Sequence, residues 1–321
     1  MSSSLPAPSL GGLVTQWAWQ PLAIAAALLL GGWYLRSVRS LRARDGVAWS
    51  RWHGAVFALG LVLGLWTSCG FLQAYQSSLY WAWTAQALTL WLLVPAVLLV
   101  GRPLQLARAT SGPDGRVDRF LRTRLAKVLG NPLVGPALVP LLSVVLFFGP
   151  LPAWAITVVP LGWLVQLLLV FVGGLFLLPL LGIDEQSSTL AVALTLAIGS
   201  FELVLDAIPG IVLRLHRSLV TSYFAHAQLH PWSPRHLHDQ QTAGTILWVV
   251  AEVIDLPFVL LVYRRWLRVD AREAAEIDAV LEAERAARSA TAEGSPSEAV
   301  TADAPWWLSD PTMQQRMRRR G

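Results

Sequence analysis

The chain has 321 residues, of which 55% are hydrophobic and 14% are charged, and its formal net charge is +5. This balance excludes an ordinary soluble domain, because mainly apolar runs of eighteen or more residues recur and each can cross a bilayer as a helix. The single cysteine, Cys69, excludes an intrachain disulfide framework and cysteine-based zinc or iron–sulfur sites.

Seven apolar segments predict an all-α, polytopic membrane protein with seven transmembrane helices. Their approximate bounds are 13–35, 54–74, 79–100, 133–151, 155–181, 188–213 and 243–263. Of the 25 Lys and Arg residues, 22 lie in the loops 36–53 and 101–132 or after residue 263. The positive-inside rule therefore predicts that the N-terminus lies outside the membrane and the C-terminus in the cytoplasm.

The composition changes after the seventh segment, so residues 1–269 are predicted to form the transmembrane domain and residues 270–321 a cytoplasmic tail. Residues 270–290 are rich in helix formers of mixed charge, which predicts a solvated helix. The remainder of the tail has the composition of a disordered segment. In the loop after the third segment, residues 114–129 have apolar side chains at helical spacing, which predicts a helix at the inner membrane interface.

The sixth and seventh segments contain acidic residues, which are costly inside a bilayer. Glu202 and Asp206 are four residues apart, and Glu252 and Asp255 are three apart, so each pair shares one helix face. Two interpretations stay open: the acids line a hydrated or cation-binding cavity used in transport, or they form hydrogen bonds between helices. Pro209, three residues after Asp206, predicts a kink beside that acid.

The loop before the seventh segment is rich in metal-binding residue types. Imidazole and carboxylate groups at such spacings can bind copper or zinc. The alternative is a solvated, pH-sensitive loop. No nucleotide-binding or hydrolase motif occurs in the chain, so we predict that it is not an enzyme. The predicted ligands, on the extracytoplasmic side, are His226, His230, His236, His238 and Asp239.

The start of the seventh segment reads DQQTAGTILW from Asp239 to Trp248. It resembles the DQxxAGxxxW signature of the CtaG-type cytochrome c oxidase assembly proteins, which are seven-span membrane proteins of bacteria. The stretch DAIPGIVLRL, from Asp206 to Leu215, extends the resemblance. The resemblance implies a protein of the bacterial plasma membrane that works with cytochrome c oxidase subunits while the copper centres of the oxidase mature. The signature residues that it singles out are Asp239, Gln240, Gly244 and Trp248.

The chain departs from this family at positions inside the membrane. Where the family has an HMxQH motif at the outer end of its third span, this chain has WTAQA and keeps only the glutamine, Gln86. A histidine of the family's fifth span is matched by Gln166. Glutamine is a poor copper ligand, so these departures argue against direct copper transfer within the membrane.

Three functions follow from these observations as hypotheses. The first is assembly of a bacterial haem–copper cytochrome c oxidase, with copper handling by the histidine-bearing loop. The second is an ion- or proton-coupled transporter that uses the acids of the sixth and seventh segments. The third is a purely structural partner of a respiratory complex.

Overall fold

The computed structural model describes residues 5–45, 49–111, 115, 119, 122–124, 135–181, 189–227 and 230–292. All regular structure in these residues is helical, as the sequence predicts, and no strand occurs among them. The helices, in chain order, are α1 (Gly12–Thr15), α2 (Pro21–Asp45), α3 (Arg51–Cys69), α4 (Phe71–Tyr75), α5 (Tyr80–Leu88), a π-helical segment (Thr89–Leu93), α6 (Val94–Val100), α7 (Pro103–Ser111), α8 (Gly135–Phe147), α9 (Leu151–Thr157), α10 (Val159–Leu181), α11 (Thr189–Leu215), α12 (Ser222–Ala225) and α13 (His236–Ala292).

Three helices of the described residues are long and apolar enough to cross a membrane: Pro21–Ala43, Arg51–Tyr75 and Tyr80–Val100. A fourth candidate is the pair Pro140–Phe147 and Leu151–Thr157, which is bent by 54°. Val159–Leu175 is a shorter apolar helix. These findings support a membrane protein with three to four candidate spans; seven spans and their orientation stay predictions.

The chain divides into two compact units, with the boundary between Tyr263 and Arg264. In the second unit the described residues continue α13 to Ala292, and most of their side chains are exposed. The predicted interfacial helix at 114–129 lies largely outside the described residues, and the predicted disordered part of the tail lies wholly outside them. The predicted boundary at residue 269 stays a prediction.

The first span begins later than the sequence pattern predicts. Apolar residues start at about residue 13, but the long helix starts at Pro21. Proline suits the first position of a helix, because its fixed φ matches the helix and its missing N–H needs no partner there. Residues 16–20 therefore form a non-helical approach to α2 rather than its first turns.

The N-terminal segment is held at one end of the first unit by aromatic donors. Trp66 Nε1 donates to the Leu13 carbonyl oxygen at 2.8 Å, and the Tyr75 hydroxyl donates to the Pro6 carbonyl oxygen at 2.8 Å. Trp232 Nε1, from the histidine-bearing loop, donates to the carbonyl oxygen of residue 5 at 3.0 Å. Residues 5–20 and the described residues of the loop 216–235 therefore share one end of the bundle, which we call the histidine end.

The opposite end of the first unit is organised around Tyr34. The Tyr34 hydroxyl accepts a hydrogen bond from Trp49 Nε1 at 2.9 Å and donates one to the Gly101 carbonyl oxygen at 2.9 Å. The Tyr34 ring stacks on Phe57 with centroids 4.1 Å apart. Residues 34–45, 49–53 and 101–106 therefore lie together, and we call this the arginine end because predicted cytoplasmic arginines lie in these segments.

The largest apolar core lies between the two ends and surrounds the π-helical segment. Trp91 is 1% exposed and belongs to a buried cluster that also contains side chains of α5, α8, α10, α11 and α13. Gly173 of α10 lies directly against the Trp91 carbonyl oxygen, and a Cβ atom at position 173 would overlap that oxygen. This close crossing places α10 against the π-helical segment, and it positions Gln166 of α10 beside α5.

Candidate functional site

Helix α5 begins at the histidine end and takes its N-terminal cap from another helix. The residue before it, Leu79, has no capping side chain. Asp239, in the first turn of α13, supplies the cap: its Oδ2 accepts a hydrogen bond from the Tyr80 N–H at 2.6 Å, and its Oδ1 accepts one from the Trp81 N–H at 3.1 Å. One carboxylate therefore lies near the positive ends of two helix dipoles and satisfies two N–H groups that α5 leaves unpaired.

Asp239 is buried, with 4% of its surface exposed. Burial raises its pKa above the usual range, and this effect outweighs the two backbone hydrogen bonds and the nearby His236 and His238, all of which lower the pKa. Both carboxylate oxygens are engaged by α5. Asp239 therefore holds the start of α5 against the start of α13.

The next signature residue, Gln240, ties α11 and the following loop to α13. It is 1% exposed. Its Oε1 accepts a hydrogen bond from the Val220 N–H at 2.8 Å, and its Nε2 donates to the Ser218 carbonyl oxygen at 3.0 Å and to the Leu213 carbonyl oxygen at 3.4 Å. Because the loop and the helix end need these partners when water is excluded, Gln240 fixes the path of the chain as it leaves α11.

Gly244 allows α13 to approach α11 closely. A Cβ atom at position 244 would lie 2.5 Å from the Arg214 nitrogen and 2.8 Å from the Gly210 carbonyl oxygen. From the other helix, a Cβ atom at Gly210 would lie 2.6 Å from the Trp248 nitrogen. Two glycines thus face each other at the crossing, as is common where membrane helices pack backbone to backbone. Pro209 is buried beside this crossing.

The last signature residue, Trp248, lies near the outside of the bundle. It is 37% exposed, and its Nε1 donates to Glu252 Oε1 at 3.3 Å. Glu252 is half-buried. This bond joins residues one helical turn apart on α13 and offers Glu252 a partner on its own helix. Asp239, Gln240 and Gly244 form one structural unit, which we call the Asp239 junction; Trp248 flanks it.

The predicted loop histidines have separate surroundings. His226 is exposed and its Nδ1 lies 2.8 Å from the Ser222 carbonyl oxygen. The ring of His230 stacks on Trp232 with centroids 4.9 Å apart and planes 3° from parallel. His236 is half-buried and His238 exposed. Within the described ranges, no three His, Cys, Asp or Glu side chains are grouped so that they could hold a metal ion. The residues as placed do not fit a copper site.

Two of the four predicted acids can be placed. Asp206 is 5% exposed and lies one turn before Gly210 on α11. Glu252 has the Trp248 contact described above. The side chains of Glu202 and Asp255 lie outside the described residues.

Two glutamines named from the resemblance meet inside the bundle: Gln86, which the chain keeps from the family's HMxQH motif, and Gln166, which stands where the family has a histidine. Gln86 Nε2 and Gln166 Nε2 each donate to Gln73 Oε1 at 2.7 Å, and Gln86 Nε2 also donates to the Thr67 carbonyl oxygen at 2.9 Å. The sequence names Gln86 and Gln166 as candidates, but it does not single out Gln73. A sequence signal for Gln73 exists, because Gln73 is a polar residue inside an apolar segment. Among the residues described, this amide cluster joins α4, α5 and α10.

Comparisons with known proteins bear on the whole of this architecture. A family model described as cytochrome c oxidase caa3 assembly factor matches residues 32–269. Uncharacterized proteins of Mycobacterium bovis and Mycobacterium tuberculosis are each 26% identical over 288 residues, and one of Mycobacterium leprae is 24% identical over 283 residues. Each alignment covers 84% of this chain and 42% of the relative, so the chain spans less than half the length of these relatives. No solved structure matches.

Proposed function

The chain belongs to the cytochrome c oxidase caa3 assembly factor family, and from this premise we propose that it is a membrane accessory protein for assembly of a bacterial haem–copper cytochrome c oxidase. The observation that carries the proposal is the family match over residues 32–269, which contains the helix bundle and the Asp239 junction. We further propose that the protein resides in the bacterial plasma membrane, with its histidine end outside, and binds oxidase subunits without catalysing a reaction.

The geometry of the histidine end supports a role in holding a partner. The Asp239 junction fixes α5, α11 and α13 relative to one another, and three aromatic donors hold the N-terminal segment over the same end. Hydrogen bonds to the bundle and to the N-terminal segment therefore hold the described residues of the loop 216–235 in place. A preorganised surface of this kind binds a partner with little ordering cost.

Deletion of the gene tests the proposal. We expect the deletion strain to lose cytochrome c oxidase activity while oxidase transcripts persist, because assembly acts after transcription. Expression of the wild-type chain should restore the activity. Normal oxidase activity in the deletion strain would contradict the proposal. Co-purification from native membranes should recover oxidase subunits, and metal analysis of the same sample addresses copper.

We further propose that the protein handles copper at the histidine end during oxidase assembly. This proposal rests on the sequence of the loop. Within the described residues, the histidines as placed do not form a ligand set for a metal ion. The test replaces His226, His230, His236 and His238 by alanine together. If the variant loses oxidase activity and added copper restores it, the result supports copper handling. Full oxidase activity in the variant would contradict copper handling by these histidines.

Ion or proton transport through Glu202, Asp206, Glu252 and Asp255 stays a prediction. The family match does not support it, and the described side chains of these acids offer no observation that favours transport over helix packing.

A further inference from the structure

Helix α2 is the least buried of the three long apolar helices. In its most apolar stretch 11% of the residues are buried, compared with 50% and 56% in the other two candidate spans. It packs mainly on α3, α7 and α10, and the face that it leaves uncovered has exposed leucines. Leu28 and Leu29 are 71% and 74% exposed. Apolar side chains at such a surface mark a contact with lipid or with another protein.

The exposed leucines of α2 continue into arginines along the same face. Residues seven apart in a helix point within about 20° of the same direction. Two series at this spacing each run from exposed leucines to an exposed arginine: Leu22, Leu29 and Arg36, and Leu28, Leu35 and Arg42. Arg39 is exposed and lies eleven residues after Leu28, again within about 20°. The uncovered face of α2 is therefore apolar as far as Leu35 and cationic beyond it.

Two further arginines join this face at the arginine end through Tyr34. The hydrogen bonds of the Tyr34 hydroxyl with Trp49 Nε1 and the Gly101 carbonyl oxygen hold the starts of α3 and α7 beside α2. Arg51 follows Trp49 by two residues and Arg102 follows Gly101 directly, and both are exposed. No side chain among the described residues pairs with the guanidinium groups of the five arginines, which are Arg36, Arg39, Arg42, Arg51 and Arg102.

The dimensions and chemistry of this surface match one phospholipid in one leaflet. Eleven residues separate Leu28 from Arg39, or about 16 Å along the helix axis, and half of a hydrocarbon core is about 15 Å thick. A lipid with its phosphate at Arg39 can therefore extend its acyl chains over Leu35 and Leu28. A guanidinium group forms paired, charge-assisted hydrogen bonds with phosphate oxygens. Exposed Trp33 and Trp52 lie at the same end, and tryptophan favours the level of the head groups.

We propose that the uncovered face of α2, together with Arg51 and Arg102, binds an anionic phospholipid. The arginines bind its phosphate, and the exposed leucines contact its acyl chains. Charge complementarity selects an anionic head group, since the choline of phosphatidylcholine would add a positive charge beside five arginines. An acidic protein segment would match the arginines but not the leucines, whereas this lipid matches both. The site is independent of the proposed role in oxidase assembly.

Lipid selectivity can be measured on the purified full-length chain by native mass spectrometry. The chain is placed in nanodiscs that contain equal amounts of phosphatidylglycerol and phosphatidylcholine with the same acyl chains, and the lipids that stay bound after release are counted. We expect phosphatidylglycerol to be enriched about tenfold, because each arginine near an anionic head group contributes about fivefold. The enrichment should fall at high ionic strength. Glycerophosphoglycerol, which lacks acyl chains, and inorganic phosphate should bind at least about tenfold more weakly than phosphatidylglycerol.

Paired arginine substitutions test the position of the site. Arg36→Gln combined with Arg39→Gln should lower the enrichment to about twofold or less. Arg217→Gln combined with Arg235→Gln removes two exposed arginines at the histidine end and is the matched control, which should bind as wild type does. All four side chains are exposed, so both double variants should unfold at the temperature of the wild type.

Four results would overturn the proposal. The first is equal binding of phosphatidylglycerol and phosphatidylcholine to the wild-type chain. The second is an equal loss of enrichment in the two double variants, which would mean that net charge and not this face selects the lipid. The third is binding of glycerophosphoglycerol or phosphate as tight as that of the lipid. The fourth is unchanged enrichment in the α2 variant with loss of co-purifying oxidase subunits, which would make this face a protein contact.

Discussion

Asp239 shows how a single side chain at the histidine end acts on several helices. Its carboxylate accepts hydrogen bonds from two consecutive N–H groups of α5 while it occupies the first turn of α13. Capping from within the same helix is the usual arrangement, and here the cap comes from a residue 159 positions away in the chain. The position therefore couples the start of one helix to the start of another.

Replacing Asp239 by alanine leaves the buried Tyr80 N–H and the half-buried Trp81 N–H without their acceptor. We expect the free energy of unfolding to fall by about 1–3 kcal/mol, the cost of unsatisfied buried donors. Chemical denaturation in detergent measures the change. Asp278→Ala, at an exposed position of α13, is the matched control and should leave the free energy of unfolding within about 0.5 kcal/mol of wild type. Equal effects of the two substitutions would contradict the capping role.

The raised pKa of Asp239 gives a second prediction at this scale. The native protein binds the Asp239 proton more tightly than the unfolded chain does, so this group contributes most to stability below its unfolded pKa, near 3.8. That contribution is lost as the pH rises through the raised native pKa. Asn at position 239 cannot titrate. We therefore expect the unfolding free energy of wild type, minus that of Asp239→Asn, to decrease across this pH window. A difference that increases with pH would show that the pKa is lowered instead.

Among the elements, the π-helical segment Thr89–Leu93 and α10 make the tightest approach. At Gly173 a Cβ atom would overlap the Trp91 carbonyl oxygen, whereas at the neighbouring Gly174 it would meet only Pro95 Cβ, at 3.9 Å. The contrast arises because adjacent helix positions point in different directions. One glycine is therefore required by packing and the other is not.

The pair gives a matched experiment. Gly173→Ala should destabilise the bundle by about 1–3 kcal/mol, because the methyl group meets backbone that cannot move aside cheaply. Gly174→Ala should be neutral or stabilising by up to about 1 kcal/mol, since alanine favours a helix over glycine. Thermal unfolding of both variants in the same detergent measures the difference. Similar melting temperatures would mean that α10 and the π-helical segment separate without cost.

How far the sequence predicts these elements depends on the range over which each signal acts. Apolar runs predict the helices well because the information lies within one segment, as at Arg51–Tyr75. The signature pointed to Asp239, Gln240 and Gly244, but their roles could not be predicted, since their partners are Tyr80, Val220 and Arg214. The resemblance likewise matched Gln86 and Gln166 without revealing that both donate to Gln73. Nothing in the local sequence marks these long-range contacts.

At the scale of the whole molecule, the two ends of the first unit differ in charge. The arginine end has predicted cytoplasmic arginines of the described residues, whereas the opposite end has the histidine loop and the N-terminal segment; these arginines are Arg36, Arg39, Arg42, Arg51 and Arg102. The described parts of the loops that the positive-inside rule assigns to opposite sides thus lie at opposite ends of the first unit. The membrane orientation itself requires a direct measurement.

Cysteine labelling on intact cells provides that measurement. Native Cys69 is buried, and Cys69→Ser gives a cysteine-free background. Ser218→Cys, exposed at the histidine end, should react with a membrane-impermeant thiol reagent added from outside. Ser50→Cys, exposed at the arginine end, should react only after the membrane is permeabilised. The reverse pattern would place the C-terminus outside.

The hydrogen bonds that hold the N-terminal segment have a consequence for sequence divergence among relatives of this protein. Trp66, Tyr75 and Trp232 all donate to main-chain carbonyl oxygens of that segment, and every residue type carries such an oxygen. Side chains along residues 5–13 can therefore be exchanged without losing these bonds, while the three aromatic donors cannot. Relatives in which the N-terminal segment is held in this way should show dissimilar N-terminal sequences and unchanged aromatic residues at the three donor positions. The family match starts at residue 32 and so begins after this segment.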